Sequence, residues 1–257
     1  MDKIKVGAVN YLNTKPLLYG IQDLLLKDDI ELVTGYPAHI AQQLLSGAID
    51  IGLVPVAIIP ELKNSFIETD FCIGATGPVA SVCLFSEVPI EKIETVWLDY
   101  QSRTSVNLAR ILLKNFWKKK VKFLPAKEGY QYQIKGTTAG VVIGDRAFAQ
   151  RLVSPYMYDL AEAWLTYSGL PFVFAAWIAN KKLSADFLQA FNAANAIGLN
   201  NLPAVLQENS YDKYNLHTYY TENISYNLDE QKRMGLQNFL KELKVLNSNK
   251  VIDQSIF

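Results

Sequence analysis

Histidine and cysteine are scarce in this chain of 257 residues, which contains two of each. His39 lies at a predicted helix start and His217 in a tyrosine-rich segment, and neither is accompanied by the sharp turn that presents a nucleophilic Ser or Cys. Cys72 and Cys83 each lie in an apolar segment with no cluster of other ligands nearby, a pattern typical of buried free thiols. The sequence therefore predicts neither a nucleophilic triad nor a metal site.

Glycine-rich loops that hold nucleotide phosphates are also absent from the sequence. No G-x-G-x-x-G follows a predicted strand, and no G-x-x-x-x-G-K-[ST] occurs anywhere in the chain. This absence argues against a nucleotide, and we expect no cofactor. The formal net charge is +0, so no long-range field favours nucleic acid or an anionic membrane surface. The expected partner is a small molecule or another protein.

Long apolar runs are missing as well. No stretch is long enough to span a bilayer, and Met1-Asp2-Lys3 leads directly into strand-like sequence without the apolar core of an export signal. Apolar residues nevertheless make up 50% of the chain, enough for a substantial core. We therefore expect a globular cytoplasmic protein.

What the sequence does contain is a regular alternation of strand and helix patterns. Strands are predicted near residues 6–10, 30–34 and 49–54, and helices at 17–26 and 38–45. This order predicts an α/β fold whose parallel sheet has right-handed crossovers. The alternation then starts afresh at Pro89, which indicates a second domain of the same class.

Two apolar strands, residues 71–76 and 79–85, separate the two alternations. Gly77-Pro78 breaks the run between them, and we interpret this ribbon as the connection by which the chain leaves one domain for another. An aromatic-rich strand at 171–178 provides the return. Residues from 184 onward are mostly helical in pattern, and we expect them to pack on the first domain, because two helices with one apolar face each form no core alone.

The first candidate site is the loop N-Y-L-N-T at residues 10–14, between the first strand and a helix that opens with Pro16. A Pro in the first turn needs no N–H partner, and an Asn or Thr ahead of it can cap the helix. The loop therefore places free backbone N–H groups and the positive end of a helix dipole at the edge of the sheet, where an anion can bind. An ordinary capped turn is the alternative interpretation.

A second candidate site follows the same logic. The segment D-Y-Q-S-R-T-S at residues 99–105 lies between a strand that ends at Leu98 and a helix that begins near Val106. The hydroxyl-rich part, Ser102, Arg103, Thr104 and Ser105, crowds the start of that helix. Their side chains and the free N–H groups can together hold a carboxylate or a phosphate. Simple capping by Ser or Thr fits the pattern equally well.

Two further positions have polar groups next to buried strands. Gly144-Asp145-Arg146 ends an apolar strand, where the Asp either caps the next helix or contacts a ligand hydroxyl. Ser81 is a lone hydroxyl in an apolar strand. Such a hydroxyl usually bonds a neighbouring carbonyl and less often points into a cleft.

Six segments, taken in order, carry a resemblance to a known family: V-G-A-V-N-Y-L-N-T-K-P-L, G-A-I-D-I-G-L-V-P-V, G-P-V-A-S-V-C-L-F-S, L-D-Y-Q-S-R-T-S-V-N-L-A-R, V-V-I-G-D-R-A and G-L-P-F-V-F-A-A-W. Together they span nearly the whole chain and resemble the MqnA/MqnD family of menaquinone biosynthesis. The Y-L-N-T-K-P and S-R-T-S segments are similar to the MqnA branch, the chorismate dehydratases of the futalosine route. An opening like the S-P-C-P-N-D-T of the sister MqnD branch is absent.

The resemblance implies a type II periplasmic-binding-protein-like fold, in which two α/β lobes are joined by two crossing strands and the ligand lies in the cleft. We expect one discontinuous lobe from residues 1–85 and 176–257 and a second from 86–175. This agrees with the chain leaving near residue 85 and returning near residue 175 in the strand pattern.

The resemblance also implies the chemistry: loss of water from chorismate to give 3-[(1-carboxyvinyl)oxy]benzoate, without a cofactor. The family's active-site polar residues map by motif onto Asn13 and Ser81. Asp145 is a candidate base, and the alternative is that a carboxylate of chorismate itself removes the proton. Two hydroxyl-rich helix starts suit the two carboxylates of chorismate. We expect substrate contacts at the following positions: Tyr11, Thr14, Ser102, Arg103, Thr104, Ser105 and Gly144.

Fold alone does not fix function, and two alternatives stay open. One is a cytoplasmic solute-binding or sensor protein of the same fold that binds an aromatic acid without turning it over. The other is the sister lyase, which forms 1,4-dihydroxy-6-naphthoate. The lack of an export signal favours an enzyme over an exported receptor.

Overall fold

The first part of the chain forms strands and helices in strict alternation. A computed structural model describes residues 3–22, 26 and 28–254 of the chain. The elements are β1 (Ile4–Val9), a 3-10 helix (Leu12–Thr14), α1 (Lys15–Gln22), β2 (Ile30–Gly35), α2 (Pro37–Ser46) and β3 (Ile51–Pro55). β1 pairs in parallel with both β2 and β3, as the alternation predicts. The helix predicted at 17–26 is observed as α1, and residues 23–25 lie outside the described residues.

Local sequence explains where α2 and β3 begin and end. Pro37 occupies the first turn of α2, and Gly47 ends the helix in the left-handed conformation at φ 75°. All five residues of β3 are buried, as expected for a strand covered on both faces.

The middle of the chain builds a second group of strands. After a 3-10 helix (Val56–Glu61) come β4 (Phe71–Ala75), β5 (Val82–Ser86), β6 (Thr95–Leu98), α3 (Thr104–Asn115), β7 (Lys122–Pro125), β8 (Thr138–Ile143), α4 (Asp145–Arg151), β9 (Tyr156–Asp159) and α5 (Leu160–Ser168). Short 3-10 turns lie at Ile90–Lys92 and Tyr130–Gln133.

The last part of the chain returns to the first sheet and is mostly helical. It comprises β10 (Phe172–Ala179), α6 (Ala185–Asn200), α7 (Leu202–Glu208), α8 (Leu216–Thr218), a π-helical turn (Tyr219–Asn223), β11 (Ser225–Asn227) and α9 (Glu230–Gln254). No helix among the described residues has both the length and the apolar character needed to cross a membrane.

Across the described residues the strands form two sheets. One has six strands in the order β11-β4-β10-β3-β1-β2, and the other has five in the order β7-β6-β8-β5-β9. β10 runs antiparallel between β3 and β4, and β5 runs antiparallel between β8 and β9. The two-sheet α/β architecture predicted from the sequence is confirmed.

The sheet membership of β5 and β10 shows where the chain crosses between the sheets. β4 belongs to the six-stranded sheet and β5 to the five-stranded sheet, so the first crossing lies within residues 76–81. The return lies between β9 and β10 and includes α5. The division into 1–85 with 176–257 and 86–175 stays a prediction, and its two boundaries fall inside β5 and β10. An apolar strand pattern does not reveal which sheet the strand joins.

Helices α1 and α6 pack against each other at glycines. A Cβ on Gly198 of α6 would lie 2.1 Å from the carbonyl oxygen of Pro16, and a Cβ on Gly20 of α1 would lie 2.3 Å from that of Ala194. Only glycine allows the two backbones to approach this closely. This contact fixes the helical C-terminal part of the chain against the corner where β1 turns into α1.

An aromatic cluster ties α9 to the return crossing. Trp164 of α5, Phe172 of β10 and Phe239 of α9 are all buried and meet edge to face, with ring centroids 5.1 to 6.2 Å apart. The Glu242 carboxylate of α9 also accepts hydrogen bonds from Asn115 of α3 and Tyr167 of α5. Helix α9 therefore contacts elements that flank both sheets.

The α1 and α6 contact makes a prediction about stability. Gly198→Ala is expected to lower the free energy of unfolding by about 1–3 kcal/mol, because the new methyl overlaps the Pro16 carbonyl. Helix propensity alone predicts the opposite sign, by about 1 kcal/mol. Urea unfolding followed by circular dichroism measures the change. Gly77→Ala is the control, since a Cβ there meets nothing within 4 Å, and a stabilised Gly198→Ala protein would contradict the packing.

Candidate active site

A cleft lies between the two sheets. Small-molecule sites commonly form where two such parts of a protein meet. Its described lining residues are Val9, Tyr11, Asn13, Thr14, Pro37, Leu53, Pro55, Ile73, Val79, Ser81, Val82, Ser102, Thr104, Ser105, Ile143, Gly144, Phe174 and Ala175. Eight of the ten predicted site residues are in this set, and Arg103 and Asp145 are not.

The first corner of the cleft is the turn from β1 into α1. The Thr14 hydroxyl donates to the carbonyl oxygens of Val9 at 2.6 Å and Tyr11 at 2.7 Å, so it locks the turn while its side chain lines the cleft. The carbonyl oxygen of Asn13 accepts a hydrogen bond from the Tyr226 hydroxyl at 3.0 Å. These contacts hold the Asn13 side chain at the cleft.

The second corner is the start of α3, which follows β6 of the five-stranded sheet. The Ser102 hydroxyl accepts the Ser105 N–H at 2.9 Å, so Ser102 has the capping role that its pattern allowed. The Thr104 hydroxyl accepts the N–H of Ala57, which follows β3, at 3.2 Å. Among the described residues the Ser105 hydroxyl has no hydrogen-bond partner, and it is the group here that a ligand can engage.

Arg103 lies beside this corner and is not part of the cleft lining. Its guanidinium forms an ion pair with Glu61 at 2.8 Å, and both side chains are partly exposed. The contact joins the end of the 3-10 helix after β3 to the start of α3. Substrate binding by Arg103 stays a prediction, which would require this ion pair to open.

Ser81 lies at the entry to β5 and is hydrogen-bonded to a residue that was not among the predicted site residues. The Tyr219 hydroxyl donates to Ser81 Oγ at 2.7 Å, and both residues are fully buried. Burial raises the pKa of Tyr219 well above its usual value, so the phenol keeps its proton. The nearby Asn13 side chain lowers the pKa of Tyr219 slightly. The only sequence signal was the tyrosine-rich stretch 211–226.

Because Ser81 Oγ accepts a hydrogen bond from the Tyr219 hydroxyl, its own O–H is free to donate elsewhere. Ser81 lines the cleft, and no second hydrogen bond engages its hydroxyl within the described part of the chain. The hydroxyl is therefore arranged as a hydrogen-bond donor toward a bound ligand.

Gly144 closes the cleft where β8 turns into α4. It adopts φ 62° and is the N-cap of α4, and a Cβ there would lie 3.2 Å from the Tyr11 ring. Its N–H donates to the Ser81 carbonyl at 2.8 Å. Glycine is required here by both the backbone conformation and the approach of Tyr11.

Asp145 is the first residue of α4 rather than its cap, and its carboxylate crosses to the other corner. Oδ1 accepts the Leu12 N–H at 3.3 Å, and the Asp145 carbonyl accepts the Tyr211 hydroxyl at 2.8 Å. Burial raises the pKa of Asp145. Asp145 lines a neighbouring groove and is not part of the cleft lining. Its carboxylate is already engaged by the Leu12 N–H.

A buried ionic network lies behind the cleft. Asp99 is 3% exposed and accepts hydrogen bonds from Arg146 Nη2 at 2.8 and 3.0 Å and from the Tyr130 hydroxyl at 2.7 Å. Arg146 also donates to Gln101 Oε1 at 2.9 Å, and the Tyr11 hydroxyl donates to the same oxygen. The Tyr11 hydroxyl is thus held by Gln101, which lies between β6 and α3. Asp99 and Gln101 fell within the predicted second site but were assigned no role.

The cleft lining is almost free of ionisable groups. Among its described residues only Tyr11 titrates, and burial raises the pKa of that phenol above its usual value. In the described part of the chain no three His, Cys, Asp or Glu side chains are arranged to hold a metal ion. The site therefore offers hydroxyls, an amide, backbone N–H groups and apolar walls.

Comparison with known proteins places these features in context. A family model described as menaquinone biosynthesis matches residues 4–244. The chorismate dehydratase of Thermus thermophilus is 26% identical over 270 residues, which cover 93% of this chain and 94% of the relative. The chorismate dehydratase of Campylobacter jejuni is 25% identical over 253 residues, which cover 94% and 98%.

Solved structures are similar in fold. The protein AF1704 from Archaeoglobus fulgidus superimposes with a TM-score of 0.76 at 13% identity, covering 95% of this chain and 98% of that one. The CA3427 product of Candida albicans, described as having the generic periplasmic binding protein fold, gives a TM-score of 0.61 at 14% identity, covering 95% and 91%. At such identities the similarity concerns the fold alone, and the predicted periplasmic-binding-protein-like fold is confirmed.

The Asp99–Arg146 and Glu61–Arg103 ion pairs differ in burial, so we predict that their removal changes stability by different amounts. Asp99→Asn is expected to lower the free energy of unfolding by about 3 kcal/mol, because it leaves the Arg146 charge without its buried partner. Glu61→Gln removes the exposed pair with Arg103 and is expected to cost less than about 1 kcal/mol. Chemical unfolding of both variants measures the difference, and equal losses would contradict the distinction.

Proposed function

The chain belongs to the menaquinone-biosynthesis family, and from this premise we propose that it is a chorismate dehydratase, which removes water from chorismate to give 3-[(1-carboxyvinyl)oxy]benzoate. The observation that carries the proposal is the shared cleft. Asn13 and Ser81, onto which the family's active-site polar residues map, line it together, and the buried Tyr219 phenol donates a hydrogen bond to Ser81. We assign the enzyme to the cytoplasm because its family is biosynthetic.

Chorismate is a ring with two carboxylates, and the cleft suits both features. The apolar side chains of Leu53, Ile143 and Phe174 provide walls for a flat ring. The start of α3, with its N–H groups and the free Ser105 hydroxyl, suits one carboxylate. The corner at Asn13 lies on the other wall and suits the second end of the substrate.

The reaction requires removal of the proton on ring carbon 3 and departure of the hydroxyl on the neighbouring carbon. The electron pair left by the proton is delocalised toward the ring carboxylate until the hydroxyl leaves, and the product ring is aromatic. One proton and one hydroxide together form the water that is lost. The enzyme's task is to orient the ring, to hold the carboxylates and to donate to the leaving oxygen.

Asn13 and Ser81 are suited to donate to the leaving hydroxyl. The Ser81 O–H is free toward the cleft because its oxygen already accepts from Tyr219. Hydrogen bonds to an oxygen that gains negative charge stabilise the transition state more than the ground state. We infer that this pair acts on the leaving group.

The composition of the cleft lining favours a base that belongs to the substrate and not to the protein. The described cleft lining contains no carboxylate, imidazole or ammonium group, and the Asp145 carboxylate accepts the Leu12 N–H beside a different groove. A carboxylate of chorismate lies within the same molecule as the proton to be removed. We infer that it takes the proton and passes it to the leaving hydroxyl.

The activity itself is the first prediction. Purified protein incubated with chorismate, with no added cofactor, is expected to form the aromatic product, followed by ultraviolet absorbance and mass spectrometry. Ser81→Ala is expected to lower kcat by about 100-fold, since it removes a donor to the leaving oxygen.

Ser86→Ala is the control for this experiment, because Ser86 is a buried serine of β5 that is not part of the cleft lining. Chorismate binding without a change in absorbance would instead favour the solute-binding or sensor alternative. Turnover of cyclic dehypoxanthine futalosine alone would favour the sister lyase.

The role of Asp145 makes a separate prediction. If the substrate supplies the base, Asp145→Asn is expected to retain kcat within about tenfold, with the wild-type pH profile of kcat/KM. If Asp145 were the base, kcat/KM would rise with pH through its raised pKa, because only the ionised carboxylate accepts a proton. A folded Asp145→Asn protein that loses activity by more than about 100-fold would reject the substrate-assisted step.

A further inference from the structure

The backbone immediately before Ser81 is in an unusual conformation. Ala80 has φ 63°, a left-handed value that a residue with a side chain rarely adopts. The Ser81 N–H donates to the Val79 carbonyl at 2.7 Å, which closes a three-residue turn around Ala80. A three-residue turn with positive φ is rare and strained, and such strain persists only where surrounding contacts impose it.

One buried carboxylate supplies those contacts. Asp159, at the end of β9, is 7% exposed, and its Oδ2 accepts the Ala80 N–H at 2.8 Å while its Oδ1 accepts the Val79 N–H at 3.2 Å. The same Oδ1 also accepts the N–H groups of Ala161 and Glu162, at 3.0 and 3.2 Å. Asp159 therefore caps α5 and holds the turn at the same time.

The carbonyl of the strained residue is held from the other side. The Ala80 oxygen accepts a hydrogen bond from Arg151 Nη1 at 3.2 Å and from Cys83 Sγ at 3.5 Å. Both backbone polar groups of Ala80 are thus occupied by side chains. The turn is over-determined by its surroundings, which is the condition under which strain is retained.

The turn decides where the Ser81 side chain points. It lies in the crossing between the sheets, directly before β5, and its reversal places Ser81 Oγ 2.7 Å from the Tyr219 hydroxyl at the cleft. A relaxed φ at Ala80 would redirect the chain at the next residue. We propose that Asp159 is a positioning residue for the reaction, which holds the strained Ala80 turn so that Ser81 presents its hydroxyl to the substrate. This inference rests on the proposed dehydratase function.

Asp159→Asn separates the turn from the helix cap. Asparagine is as good an N-cap as aspartate, so one oxygen can still accept from the start of α5. Its amide NH2 replaces the oxygen that accepts the Ala80 N–H, and two donors then face each other. The variant is expected to fold and to lower kcat by about 100-fold with a smaller change in KM, since misplacement of a reacting group by about 1 Å has effects of that size.

Two further variants test the path of the effect. Ala80→Gly in the Asp159→Asn protein is expected to restore most of kcat, because glycine adopts positive φ without strain. Asp159→Asn in the Ser81→Ala protein is expected to cause little further loss, because the group that it positions is already gone. Ser184→Ala is the control for loss of a helix cap, since the Ser184 hydroxyl likewise accepts an N–H at the start of a helix, that of Phe187 at 3.3 Å, and is not part of the cleft lining.

A wild-type kcat in Asp159→Asn would overturn the proposal. A double variant whose loss of kcat equals the product of the losses in Asp159→Asn and Ser81→Ala would overturn it as well. Urea unfolding of the same variants keeps the test independent of the enzyme assay. Asp159→Asn is expected to lower the unfolding midpoint less when residue 80 is glycine, and an equal shift in both backgrounds would show that Asp159 does not hold the turn. If the wild-type protein does not turn over chorismate, the proposed function fails while this unfolding cycle still decides the role of Asp159 in the turn.

Discussion

A single buried hydrogen bond links the elements of the two sheets beside the cleft. The Tyr219 hydroxyl donates to Ser81 Oγ at 2.7 Å, and both residues are fully buried. Tyr219 lies just before β11 of the six-stranded sheet and Ser81 just before β5 of the five-stranded sheet, so this contact relates groups that the two sheets position separately. A buried hydroxyl is costly to leave unsatisfied, and the two residues therefore constrain each other.

Charge is kept out of the cleft lining and concentrated around it. The buried Asp99 and Arg146 pair lies behind Tyr11, while Asp145 and Asp159 accept backbone N–H groups at turns. The cleft itself presents neutral donors. Under the proposed function this has a chemical consequence, because a substrate carboxylate held by neutral donors loses less of its basicity than one paired with a guanidinium.

The site residues differ in how far the sequence could identify them. Thr104 and Ser105 sit at a helix start, and Asn13 follows a strand, so local patterns were enough to nominate them. Tyr219 and Asp159 carry no local signal of this kind, because their roles depend on contacts with Ser81 and Ala80, 138 and 79 positions away. Arg103 shows the converse. The S-R-T-S motif nominated it as a substrate contact, but in the structure its guanidinium forms an ion pair with Glu61.

The sequence by itself determined the α/β class, the approximate elements and the family, because strand and helix periods and ordered motifs are local properties of the chain. It did not determine which sheet β5 joins or which groups surround Ser81. Those were decided only by the tertiary structure, since pairing partners of a buried strand and hydrogen bonds between distant residues depend on how the two sheets are placed. The placement of the two sheets forms the cleft, because it brings two helix starts and one strained turn together.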